Sequence, residues 1–430
     1  MKKRLFSIFF AAISALLCCL PLSAAYLEAP NPPDTGYTRA AVMYHLESGT
    51  LLYAKNPDTR LYPASTVKLM TAILTAEHFA GALDTTVTVS SSAVRSIAGN
   101  YIQLAAGERT TVEALLCAMV IGGANDAANV LAEAVSGSIP DFVALMNDRA
   151  RELGCENTNY VNPTGVDEDG AYSTAADTAR IAMYASSIDI IAGIAGERSY
   201  VMPATNTATE RTIRNRNYFI STAITDKYRR SDITGLNAGS SMNGGASLVA
   251  TADNGSYNYL CVILGASTDS ENIYSYIIAS DLLNWAYKSY NYSAAVSRSD
   301  LICEVPVRLS SGADYVVLTP AEDIDFFMPK NFNVNTDVRV DYVIENEVLT
   351  APVEKGQKNG TVTVYDRTSG EVIGSTDLVA VSNVDRSEFK YRLNQLKDLF
   401  IRPATLIIAA VFAAAAVAAI IFTAFRRAHG

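Results

Sequence analysis

Histidine is nearly absent from this chain: three in 430 residues, His45, His78 and His429. No His-Glu-x-x-His run occurs, and three histidines are too few for a His-rich metal site. One of them lies beyond an apolar stretch near the C-terminus, so a Ser-His-Asp triad would have to rest on His45 or His78. Charge is scarce too, at 18% of residues against 49% hydrophobic, which excludes wholesale disorder. The net charge is −10, and Lys2, Lys3, Arg4, Arg426 and Arg427 crowd the two ends, leaving about −15 on the stretch between them. That balance argues against a nucleic-acid partner. Of six cysteines, Cys18 and Cys19 fall in the N-terminal segment. The other four, Cys117, Cys155, Cys261 and Cys303, form no Cys-x-x-Cys pair, so they read as small buried hydrophobes and no metal is expected.

Both ends look like targeting segments. Residues 1–25 give a cationic start, an apolar run and a Ser-Ala-Ala ending, the pattern of a secretory signal peptide cleaved near Ala24 or Ala25. Residues 404–425 contain no charge; at about 1.5 Å per residue they reach roughly 33 Å, the thickness of a bilayer's hydrocarbon core. Arg426 and Arg427 follow, which the positive-inside rule sets in the cytoplasm (residues 426–430). The expectation is a single-pass protein held by a C-terminal membrane helix on the extracytoplasmic face of a bacterial cell membrane.

Between the ends, residues 26–292 mix strands and helices. Two hairpins are expected, one around Ser48-Gly49 and one around Asp253-Asn254-Gly255, with helices at 66–79, 111–121, 126–135 and 140–153 between them. The helical DLLNWAYKSY closes the unit, so one sheet should be built from its two ends. Residues 293–385 turn to short alternating segments, the mark of a small all-β domain. Residues 386–403 read as an amphipathic juxtamembrane helix.

The chemistry concentrates at Ser65-Thr66-Val67-Lys68. Pro63 suits the approach to a helix, setting Ser65 in its first turn, and the i, i+3 spacing brings the Lys68 amine to the Ser65 hydroxyl. Burial and the positive end of a helix both lower a lysine's pKa, so Lys68 can serve as the base that histidine does not supply. By itself, Ser-x-x-Lys is common in helices.

Its surroundings give it meaning. Residues 63–71 resemble the Pro-Ala-Ser-x-x-Lys-x-Met-Thr box of penicillin-binding proteins and serine β-lactamases, and the chain is similar to the low-molecular-mass D-alanyl-D-alanine carboxypeptidases among them. Asn125-Asp126-Ala127-Ala128 matches the end of that family's second motif. Asn162-Pro163-Thr164-Gly165, Ser173-Thr174-Ala175-x-Asp177 and Gly245-x-x-Leu248-Val249-Ala250-Thr251-Ala252 continue the likeness, and Ala351-Pro352-Val353-x-x-Gly356 resembles the accompanying β domain. The resemblance implies an α/β (α+β) transpeptidase-like domain, an antiparallel sheet with a helical cluster, and no cofactor. It implies Ser65, Lys68 and Asn125 as catalytic residues, with Asn237, Ala238, Gly239 and Ser241 binding substrate. Peptidoglycan stem peptides would be the substrate and β-lactams covalent inhibitors. One oxyanion donor would come from Ser65 and one from the strand near Ser241.

Two motifs depart from the family. Gly123-Ala124-Asn125 stands for Ser-x-Asn, and Asn237-Ala238-Gly239 for Lys-Thr-Gly. Gly123 offers no hydroxyl to relay a proton, and Asn237 no charge for the substrate's carboxylate. Lys227 is out of register by ten positions, and a replacement cation would be sought first at Arg229 or Arg230. Three readings follow: a carboxypeptidase with weakened activity, a pseudoenzyme that binds cell-wall peptides or partners, and more distantly a β-lactamase with Glu156 considered as its deacylating base.

Overall fold

A computed structural model describes residues 29–367, 370–401 and 403–428; the expected signal peptide lies outside them. The chain divides into two compact units, one running to Asn291 with Phe327–Asn331 added, the other comprising Tyr292–Phe326 and the residues from Phe332 onward.

In the first unit, β1 (Ala40–His45) and β2 (Leu51–Lys55) form the first hairpin. A 3-10 turn at Ala64–Thr66 leads into α1 (Val67–His78). After β3 (Thr86–Thr88) and β4 (Arg109–Thr111) come α2 (Val112–Gly122), α3 (Asn125–Ser136), α4 (Ile139–Glu152), α5 (Ala175–Ser186) and α6 (Asp189–Gly196). The small hairpin of β5 (Ser199–Met202) and β6 (Arg211–Arg214) precedes β7 (Ile233–Ser241), β8 (Gly245–Asp253), β9 (Asn258–Ala266) and α7 (Tyr274–Ser289). The main sheet has the order β2-β1-β9-β8-β7, so β1 from the start of the unit pairs antiparallel with β9 from its end.

Strand alternation divides the core. On β1 and β9, Ala40, Val42, Tyr44, Leu260, Val262 and Leu264 face the helical cluster, while Ala41, Met43, Tyr259, Cys261 and Ile263 face α7. Side chains two apart share a face, so one sheet seals two cores, each fully buried Val, Leu, Ile or Met side chain contributing about 1.5–3 kcal/mol. Caps mark where helices begin. Ser138 and Thr174 accept hydrogen bonds from Asp141 and Asp177 amides at the starts of α4 and α5, each worth about 1 kcal/mol. Cys117, Cys155 and Cys261 are buried and Cys303 half-buried, all as free thiols.

The segment Phe327–Asn331 returns to the first unit, apart from its neighbours in sequence. Phe327 is buried and stacks on His45 at 3.8 Å and on Tyr290 at 5.6 Å, so aromatic packing claims a segment that lies within the β-rich stretch in sequence.

Strand β10 (Tyr290–Val296) pairs with β13 (Ile324–Pro329). The second unit's main sheet has the order β14-β16-β17-β12-β11-β15, from β11 (Cys303–Arg308), β12 (Tyr315–Pro320), β14 (Val338–Ile344), β15 (Leu349–Thr350), β16 (Lys358–Asp366) and β17 (Val372–Ala380). The single turn α8 (Val334–Asp337) precedes β14. Helices α9 (Glu388–Ile401) and α10 (Pro403–Ala428) follow, the latter carrying an apolar stretch at Ala410–Phe425. Among the described residues no single helix is long and apolar enough to cross a membrane.

Candidate active site

Ser65 follows a strained residue. Ala64 has φ +48°, a left-handed backbone that costs a non-glycine residue roughly 1 kcal/mol or more. Gly165 packs so closely on the Ala64 carbonyl that any side chain there would overlap it. Ser65 then falls in the 3-10 turn rather than in the α-helix itself, because α1 begins at Val67. The i, i+3 relation survives this correction. Lys68 Nζ lies 3.5 Å from Ser65 Oγ and donates a 2.5 Å hydrogen bond to Thr164 O.

Lys68 is 2% exposed. Burial first, and the positive charge of Arg216 second, push its pKa down to about 7. Its partner carbonyl is fixed by an Asx-type turn, in which Asn162 Oδ1 accepts from the amides of Thr164 and Gly165. Thr71 Oγ1 anchors the same turn through Pro163 O at 2.8 Å.

Opposite the lysine runs β7, an outer strand of the main sheet. Gly239 abuts Ser65 so tightly that a Cβ would overlap both Ser65 Cβ and Oγ. Asn125 opens α3. Its Nδ2 donates to Ala98 O at 2.6 Å and its Oδ1 is buried with no hydrogen-bond partner among the described residues. Asp126 accepts from the amides of Ile102 and Leu104, tying the loop before β4 to the start of the same helix. Gly123 ends α2 at φ +65°, a left-handed cap that glycine adopts at no steric cost.

These residues share a cavity of about 710 Å³, lined by Ser65, Lys68, Gly123, Asn125, Ala238, Gly239 and Ser241 among others. Asn237 does not line it. Although it was expected to meet substrate, Asn237 is 6% exposed and its Oδ1 is buried without a partner among the described residues. A different cation lines the cavity. Arg216 lines the cavity, donates to Asn100 Oδ1 at 3.2 Å, and has its Cδ 3.4 Å from where a Gly123 side chain would begin. Asn100 in turn donates to Gly122 O. Buried Asn215 and Asn217 flank Arg216 and hold the backbone, Asn215 by donating to Ala195 O and Glu197 O.

A family model described as D-alanyl-D-alanine carboxypeptidase matches residues 28–268. The chain belongs to that family. A second model, the penicillin-binding protein 5 C-terminal domain, matches residues 295–386. The D-alanyl-D-alanine carboxypeptidase DacF of Bacillus subtilis is 30% identical over 394 residues, covering 90% of this chain and 96% of that one. DacC of Escherichia coli, also a D-alanyl-D-alanine carboxypeptidase, is 27% identical, covering 88% and 92%. The crystal structure of penicillin binding protein 5 from Haemophilus influenzae matches with a TM-score of 0.59 at 27% identity, over 83% of this chain and 99% of that one.

Within this carboxypeptidase family member, the cations first considered are engaged elsewhere. Arg230 pairs with Asp232 at 2.6 Å and donates to Asn284, Arg229 donates to Ile220 O, and Lys227 donates to Glu271 O and Asn272. Glu156 is exposed and is not part of the cavity wall. Sequence reasoning missed Arg216 and Thr164. The signal for Arg216 was the triplet Asn215-Arg216-Asn217, a lone cation between two residues that here turn inward. Thr164 acts through its backbone carbonyl, for which side-chain identity gives no signal.

Proposed function

We propose that this chain is a serine-type D-Ala-D-Ala carboxypeptidase that removes the terminal D-alanine from peptidoglycan stem peptides. The observation that carries the reading is the 3.5 Å approach of a buried, readily neutral Lys68 to Ser65 Oγ. Lys68 accepts the hydroxyl proton as Ser65 attacks the carbonyl between the two D-alanines. The developing oxyanion is met by the Ser65 amide and the free edge of β7 near Gly239–Ser241. The C–N bond breaks, the proton passes to the departing amine, and D-alanine leaves. Water then cleaves the Ser65 ester and restores the hydroxyl. Arg216 supplies the positive charge for the substrate's terminal carboxylate in place of the absent third-motif lysine.

Gly123 favours a second reading, a penicillin-binding pseudoenzyme, because nothing in its side chain can relay a proton to the leaving amine. One experiment separates the two. The protein is incubated with a β-lactam and weighed intact, and D-alanine release from a pentapeptide is measured in parallel. An adduct mapping to Ser65 together with D-alanine release supports the enzyme. An adduct without release supports the pseudoenzyme. Ser65→Ala and Lys68→Ala should each abolish the adduct, and labelling that persists in Ser65→Ala overturns both readings.

We also propose that 404–425 anchors the protein in the bacterial cell membrane with the carboxypeptidase domain outside. Its lack of charge, the arginines at 426 and 427, and the exposed Phe389, Leu393 and Leu396 on one face of α9 support this. Truncation after Lys397 should release a soluble protein, and recovery of the truncated form with membranes would overturn the anchor.

A further inference from the structure

The six-stranded sheet of the second unit has two unlike edges. At one end β15 is two residues long, too short to template another strand. At the other end β14 runs for seven residues and pairs with β16 in an unbroken register. It carries no lysine, proline or bulge, devices that keep an edge strand from pairing. Among the described residues no strand pairs with its outer side.

Strand parity says which groups that side presents. The Glu345 amide donates to Asn359 O, and the Arg367 amide to Asp337 O. These bonds bracket β14, so its odd-numbered residues turn their peptide groups toward β16. Val338, Val340, Tyr342 and Ile344 turn theirs outward. One of those carbonyls, Val338 O, accepts from the Arg367 side chain and keeps a second lone pair. The even-numbered side chains share a face with buried Val362 and Val364 of β16, yet Val340 is 40% and Tyr342 49% exposed. The core face of the sheet therefore continues uncovered onto its last strand. On the other face Arg339 and Asp341 are paired at 3.0 Å, and Arg339 stacks on the Tyr365 ring. Opposite charges two residues apart are self-complementary about a two-fold axis set between them.

We infer that β14 is an interface between two copies of this chain, paired antiparallel about Val340 into one continuous sheet. Arg339 then faces Asp341 of the second copy and Asp341 faces its Arg339, so the four charges alternate around a closed ring. An axis at Asp341 would instead set two aspartates face to face. Val340 exchanges both backbone hydrogen bonds with its counterpart, and Val338 exchanges them with Tyr342 of the second copy, outward groups meeting outward groups. The apolar row of Val338, Val340 and Tyr342 lies against itself. One strand's width is less than a stable dimer buries, so association should be micromolar or weaker.

The test uses the full chain in detergent carrying Val340→Cys, whose thiols meet across the axis, under mild oxidation followed on non-reducing gels. The unaltered chain sets the background. A disulfide-linked dimer should form at least about tenfold faster than with Val343→Cys, whose thiols would stand roughly 20 Å apart. In the Val340→Cys background, Arg339→Asp and Asp341→Arg should each slow linkage on the order of tenfold, because each sets like charges opposite one another twice. Mixing those two variants should restore it. Residues 339 and 341 keep like charges within each copy of the mixture, so recovery reports contact between copies and not the folding of either. Equal linkage through 340 and 343 overturns the inference, as does linkage indifferent to the charge changes. A mixture that links no faster than its components overturns the pairing about Val340.

Discussion

The two walls of the cavity are built to different tolerances. On the Ser65 wall, Ser65, Lys68, Thr164, Gly165 and Gly239 pack closely, and two glycines are needed because any Cβ would overlap its neighbour. On the facing wall, Asn125 Oδ1 is buried without a partner among the described residues, Gly123 leaves space, and the positive charge is that of Arg216 on a different segment. The difference follows from range. A proton moves between heteroatoms only at hydrogen-bond distance, so the Ser–Lys pair cannot be relocated. Charge acts over several ångströms, so one cation can replace another from a new position.

The sharpest way to break this contrast is Gly239→Ala. The new methyl displaces Ser65, and the rate of β-lactam acylation should fall by about 100-fold or more, in line with the cost of misplacing reacting atoms by an ångström. A stopped-flow acylation rate near that of the parent would show that the Ser65 wall is looser than its packing implies.

Next is Arg216→Ala. A charge-assisted hydrogen bond contributes about 1.5–3 kcal/mol, so kcat/KM for a D-Ala-D-Ala peptide should drop roughly 10- to 100-fold. Asn237→Lys should then recover less than about threefold in the Arg216→Ala background, because position 237 is buried and does not line the cavity. A larger recovery would mean that a lysine there reaches the substrate's carboxylate.

A smaller effect is carried by pH. Only neutral Lys68 accepts a proton, and its pKa is lowered to about 7. The pH profile of kcat/KM should therefore rise about tenfold per unit up to about 7 and level off above it. Removing Arg216 should move that limb to higher pH, since the arginine's field helps keep the amine neutral. The unfolded chain holds this proton up to about 10.5, so stability should increase with pH between about 7 and 10.5. Denaturant midpoints across that range check the sign.

The smallest expected change is Gly123→Ala. It keeps the cavity nearly unaltered but forces a side chain to φ +65°, costing about 1 kcal/mol and a few degrees of Tm, with acylation changed by less than about threefold.

The two hairpins and most of the long helices were legible because alternation and helical periodicity extend over enough residues to be seen. The pairs β3–β4 and β5–β6 were not, since three or four residues cannot display a period. Helix α6 escaped for a related reason: its eight residues include Gly193 and Gly196. At the site, Ser65, Lys68, Gly123, Asn125 and Gly239 were legible from spacing and motif. Arg216 was not, because its approach to Gly123 depends on how the chain folds back across the helices, almost a hundred residues later. Asn237 was assigned by register alone, and register does not reveal that its side chain is buried.

Arg216 and Lys68 stand in one cavity, and among the described residues no carboxylate bonds directly to either. In a protein of net charge −10, that makes the mouth of the site a local sink for small anions. Phosphate or sulfate in a buffer should compete with substrate, most strongly below about pH 7, where the lysine gains its proton. A test for D-alanine release run in phosphate would thus be biased against the protein, and an uncharged or cationic buffer is the medium for it.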